Sequence, residues 1–212
     1  MEHRFFVLFD VLDKTRKCNI IKEDKVIFTK EIIQDKYIQG DSKKWANWMS
    51  ELSYSTCKLC EEKHGTIVSI SILNHKKLIQ AHPRCKCIYV PMRTIRVGTA
   101  TYMGFDGPDV DLFYSGDLPD YYITPEEAEL LGWSQKKENF SVIKGMVLGG
   151  NVYHNINNKL PNSPGRIWYE ADINFDGYKR NRDRILFSND GLIFITYDHY
   201  HTFWELVGTT IE

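Results

Sequence analysis

Four side chains in the last third of the chain could act together chemically: Glu170, Arg180, Arg184 and His199. Glu170 falls on the polar side of an alternating stretch. Ile167, Tyr169, Ala171, Ile173 and Phe175 share one face there, and Arg166, Trp168, Glu170, Asp172 and Asn174 share the other. Arg180 and Arg184 follow in the next turn, and His199 lies near the end of later strand candidates. A carboxylate base, an imidazolium acid and two guanidinium groups suit cleavage of RNA by its own 2′-hydroxyl. The base takes the 2′ proton, attack forms a 2′,3′-cyclic phosphate, and the acid protonates the departing 5′-oxygen. Arginine forks match the oxygens of the phosphorane. A lone strand carboxylate is usually only solvated. The run Lys179-Arg180-Asn181-Arg182-Asp183-Arg184 also reads as a solvated turn.

A second group has metal-ligand spacing. Two residues separate Cys57 from Cys60, and two separate His82 from Cys85, with Cys87 close behind. Each pair can turn back onto one ion, and thiolates with a neutral imidazole suit tetrahedral zinc. The expected ligands are Cys57, Cys60, His82 and Cys85, with Cys87 able to replace Cys85. A site ligated wholly by protein keeps no open position, so its role would be structural. Buried free thiols are the plain alternative. The odd count of five cysteines argues against a disulfide framework.

The elements that must position these residues read as two modules, 1–100 and 101–212. Phe5–Leu12 and Lys25–Phe28 read as strands around the polar stretch Asp13–Asp24. Trp45, Trp48, Met49 and Leu52 fall at helical spacing after Ser42, which predicts a capped helix leading to Cys57. Thr66–Leu73 is β-branched and reads as a strand, and residues 88–103 read as a connector containing an extended segment. Pro108 opens a short helix. Thr124-Pro125-Glu126-Glu127 carries a capping box, and Gly132 ends that helix. Beyond Gly149-Gly150 the strand candidates are 166–175, Ile185–Ser188, Leu192–Tyr197 and Tyr200–Trp204. Helices first and then consecutive strands predict an α+β fold with an antiparallel sheet.

Composition bounds the remaining classes. The 212 residues are 42% hydrophobic and 26% charged, which excludes a disordered tail or a disulfide-dense miniprotein. The net charge of −1 conceals a division, because residues 101–212 carry 9 Lys+Arg against 17 Asp+Glu. The first module is therefore the basic one, a candidate for anion contact or for attraction to its acidic neighbour. The longest apolar run, Phe5 to Leu12, is broken by Asp10 and is too short to span a bilayer. The start lacks the pattern of a signal peptide, so synthesis in the cytoplasm without membrane association is expected.

Residues 104–204 resemble the barnase-like microbial ribonucleases. The likeness runs through Phe105-Asp106-Gly107, Leu118-Pro119-Asp120, Tyr122-Ile123-Thr124, Leu131-Gly132-Trp133 and Gly149-Gly150. It is densest at Trp168, Glu170-Ala171-Asp172-Ile173-Asn174, Arg180-Asn181 and Asp183-Arg184-Ile185-Leu186, and closes with Asp198-His199-Tyr200. The resemblance implies short helices packed on an antiparallel sheet whose open face holds the site. It implies Glu170 as general base, His199 as general acid, and Arg180 and Arg184 as phosphate partners. Tyr200, Asn155 and Tyr153 would lie beside the substrate. No cofactor is implied for catalysis.

Two departures stand out. The family has a catalytic lysine directly after the capping threonine, where this chain has Pro125. The family's guanine-reading loop follows its asparagine with Arg and Glu, whereas this chain reads Asn155-Ile156-Asn157. An altered base choice is expected. Trp45–Cys87 is also similar to the Cys/His segment of phage minor head (head morphogenesis) proteins, which implies a docking or delivery module.

The leading expectation is a metal-independent endoribonuclease acting on single-stranded RNA, a toxin or effector module with a zinc-stabilised N-terminal part. An inhibitor or immunity protein is implied as partner, and delivery to a target cell or carriage in a virion is a possible route. The alternatives are an interaction protein with a weakened ribonuclease fold, resting on Pro125, and a zinc-dependent nucleic-acid binder, resting on the basic first half.

Overall fold

The computed structural model describes residues 6–10, 16–22, 25–32, 38–50, 56–72, 82, 84–137 and 139–208, with side chains from residue 40 onward. Strands β1 (Phe6–Asp10), β2 (Arg16–Lys22) and β3 (Lys25–Ile32) form an antiparallel meander. β2 occupies the stretch expected to be a polar separator, because pairing on both sides supplies a ladder that its own composition does not announce.

The large sheet holds β4 (Ile38–Met49), β5 (Ile67–Ser69), β6 (Ile88–Arg96), β7 (Tyr122–Ile123), β8 (Val147–Tyr153), β9 (Trp168–Asp172), β10 (Arg184–Ser188), β11 (Ile193–Thr196) and β12 (Trp204–Val207). Their spatial order is β5-β4-β6-β12-β11-β10-β9-β8-β7. Neighbours run antiparallel except β6 with β12 and β7 with β8. Short helices accompany it, among them α1 (Lys58–Lys63), α2 (Pro108–Tyr114) and α3 (Pro125–Leu130). This is the expected α+β class. No helix among the described residues is long and apolar enough to cross a membrane.

The predicted helix from Ser42 is instead strand β4, and Leu52 lies outside the described residues. Ser42 does accept backbone N–H groups, from Lys44 at 3.0 Å and Trp45 at 2.9 Å, but it stabilises an irregularity in the β4–β6 ladder rather than a helix start. Beyond it, burial alternates at Ala46, Trp48 and Ser50. Two tryptophans three apart suit a helix face, yet here they point to opposite sides of a strand. Trp45 meets Phe194 edge-on with ring centres 6.0 Å apart, and Trp48 meets Tyr89 at 5.0 Å. Pairing with both β5 and β6 overrides the local signal. The expected strand Tyr200–Trp204 starts four residues later, because residues 197–203 form a hydrogen-bonded loop. Trp168, on the supposedly polar face of β9, is buried.

The sheet has apolar cores on both sides. Ile95, Val97, Leu112, Ala171, Ile173, Ile185, Ile195 and Leu206 form the first, under α2. On the other side Ile67, Met92, Leu160, Trp168, Leu186, Phe194 and Phe203 pack together, with Trp45, Tyr153 and Tyr200 against them. This second core draws on both halves of the chain. The connector after β6 is pinned by Asp109, whose carboxylate accepts from Gly98 N–H at 2.7 Å and the Thr101 hydroxyl at 3.1 Å. At α3 the capping box forms as predicted: Glu127 N–H donates to Thr124 Oγ1, and Thr124 N–H donates to Glu127 Oε2 at 3.0 Å.

Candidate active site

The position of Glu170 begins with two glycines. A Cβ on Gly149 would lie 2.4 Å from the Cβ of Ala171, so only glycine lets β8 approach β9 here. Gly150, at φ +88°, follows, and the register shifts between Gly149 and Asn151. That bulge places Asn151 directly opposite Glu170. Asn151 Nδ2 donates to Glu170 Oε1 at 3.0 Å, and the Tyr200 hydroxyl donates to Oε2 at 2.5 Å. Each carboxylate oxygen therefore holds one neutral donor. Burial and the Glu170 charge push the Tyr200 phenol well up, so it stays protonated as that donor.

Tyr200 reaches Glu170 from a loop with unusual backbone. His199 and Tyr200 both sit in the left-handed region, at φ +61° and +68°. Non-glycine residues hold such angles only where surrounding bonds impose them. Asp198 imposes them here. Its carboxylate accepts from Thr196 Oγ1, the N–H groups of His201 and Thr202, and the Thr202 hydroxyl at 2.7 Å. Burial pushes Asp198 up, but these donors outweigh it and hold the carboxyl below its ordinary range. The His199 N–H donates to the Arg182 carbonyl at 3.2 Å, which docks this loop on the arginine turn.

The two arginines are organised by Asp172, two residues beyond Glu170 on the same face. Arg180 forks onto it, with Nε and Nη2 each 2.7 Å from a carboxylate oxygen. Arg184 Nε lies 2.9 Å from Asp172 Oδ1 as an ion pair, off the line of a hydrogen bond. Arg184 Nη1 donates to the carbonyls of Asn181 and Asp183. Arg184 and Asp172 are almost wholly buried. Arg180 Nη1 and Arg184 Nη2 make no hydrogen bond among the described residues. Two cations against one anion leave a net positive edge there.

That edge faces a cleft of about 370 Å³ whose lining includes Trp133, Arg180, Arg182, Arg184 and His199. His199 also packs against Tyr200, with ring centres 4.7 Å apart. Partial desolvation and the charges of Arg184 and Arg182 hold its imidazole below the ordinary histidine range, against the opposing pull of Glu170. The structure thus brings Glu170, Arg180, Arg184, His199 and Tyr200 into one neighbourhood. Among the described residues, the lining of this cleft comes from Trp133 to His199 and includes none of the basic side chains of the first module.

Tyr153 stacks on Tyr200 with ring centres 5.3 Å apart, next to Glu170. Asn155 is different. It is buried, and its side chain closes the loop that follows: Nδ2 donates to Leu160 O at 2.9 Å, and Oδ1 accepts Leu160 N–H at 3.0 Å. Its amide is used inside the loop, whereas Ile156, Asn157 and Asn158 are exposed.

The Cys/His residues converge as well. Cys57 Sγ and Cys60 Sγ each lie 3.1 Å from His82 Nε2, and Cys60 Sγ lies 3.6 Å from Cys85 Sγ. Cys60, Cys85 and Cys87 form a second trio of donors within 4.8 Å. A tetrahedral zinc, with sulfurs at about 2.3 Å and nitrogen at about 2.0 Å, sets its donors roughly 3.5–3.8 Å apart. The donor set fits such an ion. Cys60 N–H donates to Cys57 Sγ at 3.4 Å, the bond a turn forms when it points two thiolates at one ion. Burial and the neighbouring thiols push the Cys60 thiol up, which a bound cation would reverse. Both Cys85 and Cys87 are within reach, so the alternatives for the fourth ligand stay open.

Three residues went unread in the sequence: Asn151, Asp172 as tether of both arginines, and Asp198 as organiser of the His199 loop. The Gly149-Gly150 pair is the signal that could have exposed Asn151, since paired glycines inside a strand mark a bulge.

A ribonuclease family signature matches residues 110–206. The chain is 46% identical over 103 residues to a ribonuclease of Bacillus intermedius and, to the same extent, to one of Bacillus pumilus. That is 48% of this chain and 64% of each relative, so the chain spans less than two thirds of their length. It is also 46% identical over 100 residues to a ribonuclease of Heyndrickxia coagulans, covering 47% of this chain and 92% of that relative. With nearly the whole of that relative matched at this identity, the chain belongs to the microbial, barnase-like ribonuclease family.

Proposed function

We propose that this protein is an endoribonuclease that cleaves single-stranded RNA by transesterification. The supporting observation is the meeting of Glu170, held by Tyr200 and Asn151, with His199 beside the cationic edge of Arg180 and Arg184. Glu170 removes the 2′-hydroxyl proton, the 2′-oxygen attacks phosphorus, and the bond to the 5′-oxygen breaks as His199 supplies its proton. The free guanidinium nitrogens neutralise the phosphorane. Water then opens the 2′,3′-cyclic phosphate with the acid and base roles reversed. Tyr153 and Tyr200 offer a stacked aromatic wall to the nucleotide, and Asn155 shapes the loop beside it. Cys57, Cys60 and His82, with Cys85 or Cys87, would hold a zinc ion that stabilises the fold and takes no part in the bond changes.

The test is cleavage of mixed-sequence single-stranded RNA by the zinc-supplied full chain, beside Glu170→Ala. Cyclic-phosphate ends should appear and fall by about a hundred- to ten-thousandfold in the variant. Equal cleavage by both proteins would refute the assignment. A toxin or effector role, a proteinaceous inhibitor covering the cationic cleft, and delivery through residues 1–100 belong to the same reading. The competing reading, an interaction protein with a weakened site, is favoured by Pro125, and absence of cleavage above the variant would put it in the lead.

A further inference from the structure

The cysteine cluster and the Glu170 neighbourhood are connected by one short path. Helix α1 leaves the cluster and turns at Gly65, whose N–H donates to Trp48 O at 2.8 Å. Next, Ile67 is opposite Asn47 of β4, but its N–H turns away and donates to the Lys159 carbonyl at 2.8 Å. This is the one hydrogen bond between segment 57–69 and loop 155–162 among the described residues. The Ile67 side chain is buried in the same core as Leu160, the residue after Lys159. Leu160 in turn is the residue that Asn155 grips by both backbone groups. The exposed part of the loop, Ile156 to Asn158, instead borders an open cleft of about 820 Å³ against α1. The loop is therefore fixed at its far end by β5, while its exposed tip is held only by bonds within the loop, Asn158 N–H to Asn155 O and Asn162 Nδ2 to Asn158 Oδ1. Tyr153, at its near end, packs on that same core together with Tyr200.

We propose that β5 is a positioning strut for loop 155–160, so that a divalent cation in the cysteine cluster sets how firmly the loop holds the nucleotide. The arginines and His199 are held by groups outside this path, whereas Glu170 meets the second core through Tyr200. Asp172 fixes the arginines and Asp198 fixes His199, and neither contacts β5 through any hydrogen bond among the described residues. Loss of the ion loosens α1 and the start of β5, the Ile67–Lys159 bond opens, and the loop gains freedom that substrate binding must then remove. The effect belongs to KM and base preference rather than to kcat. This inference rests on the ribonuclease reading for its kinetic form, and not for its structural form.

The experiment uses the full chain loaded with zinc, stripped with a chelator, and resupplied. A zinc-loaded preparation of the double variant Cys57→Ala/His82→Ala runs beside it. Steady-state cleavage is measured on short RNAs that differ in the base 5′ to the cut, and amide hydrogen exchange is followed at Ile67 and Leu160. Stripping should raise KM by about tenfold and narrow the spread among bases. The value of kcat should stay within about twofold, with its pH profile unmoved. Exchange at Ile67 should quicken while the centre of β10 stays protected. Zinc should restore the wild type, and the double variant should behave as the stripped protein even with zinc present. Unchanged KM, base preference and Ile67 exchange after stripping would overturn the strut. So would global loss of protection across β10, which would make the ion a requirement for folding alone. If the zinc-loaded protein cleaves no RNA, the ribonuclease reading fails, and Ile67 exchange against β10 still decides the strut.

Discussion

At the scale of single residues, Pro125 stands where the resembled family carries a lysine, and Glu170 takes its hydrogen bonds from neutral partners. Asn151 and Tyr200 satisfy Glu170 without adding charge, so phosphate neutralisation falls to Arg180 and Arg184. Pro125 is the first residue of α3, and Thr124 before it lies against Gly150, beside the bulge that aims Asn151. The first helical position tolerates most residues, and the capping box does not use the residue 125 side chain. Pro125→Lys should therefore leave folding intact and raise kcat/KM, by up to roughly a hundredfold if the added charge reaches the transition state. Steady-state cleavage of one short RNA measures it. His199 gives a pH prediction. The acid must be protonated, and its imidazole is held below the ordinary histidine range. The falling limb of kcat/KM should thus lie on the acid side of about pH 6.5. Arg182→Ala removes a nearby positive charge, favours the protonated ring, and should shift that limb to higher pH. A limb that does not move would separate His199 from the acid role.

At the scale of elements, the site depends on a bulge, a tethered turn and a strained loop. The bulge at Gly149-Gly150 is the most exacting, since a methyl group at residue 149 would collide with Ala171 and the Tyr122 ring. Gly149→Ala should destabilise the protein by about 1–3 kcal/mol through overpacking. It should also reduce activity beyond that loss, because Asn151 would swing away from Glu170. Thermal melting and cleavage below the melting point separate the two effects. Legibility varied with element type. Strands β9 to β11 could be read from alternation and from the turn residues between them. The helix predicted from Ser42 could not be corrected from sequence, since its tryptophan spacing suits a helix and only pairing with β5 and β6 shows the strand.

At the scale of the whole molecule, β4, β5 and β6 of the first half share one sheet with the strands of the second. β6 pairs in parallel with β12, and Ile67, Met92 and Trp45 meet Phe194, Leu186 and Tyr200 across the second core. Heating the zinc-loaded chain should therefore give one cooperative transition in calorimetry. Met92→Ala should lower it by about 2–5 kcal/mol of stability while leaving a single transition. Two separated transitions, with the variant affecting one alone, would show that the halves unfold independently.

Residue types of the site and their order along the chain are legible in the primary structure alone. Glu170, the paired arginines, His199 and the Cys/His spacing all survive as local patterns, because the chemistry demands particular side chains and the turns demand particular glycines and caps. What holds them is visible only in the folded chain. Asp172 tethers both arginines, Asn151 comes opposite Glu170 through a register shift, and β5 ties the cysteine cluster to the loop after Tyr153. Each of these joins elements that are distant in sequence or displaced in register. Such pairings are selected by packing across the sheet, which no run of neighbouring residues encodes.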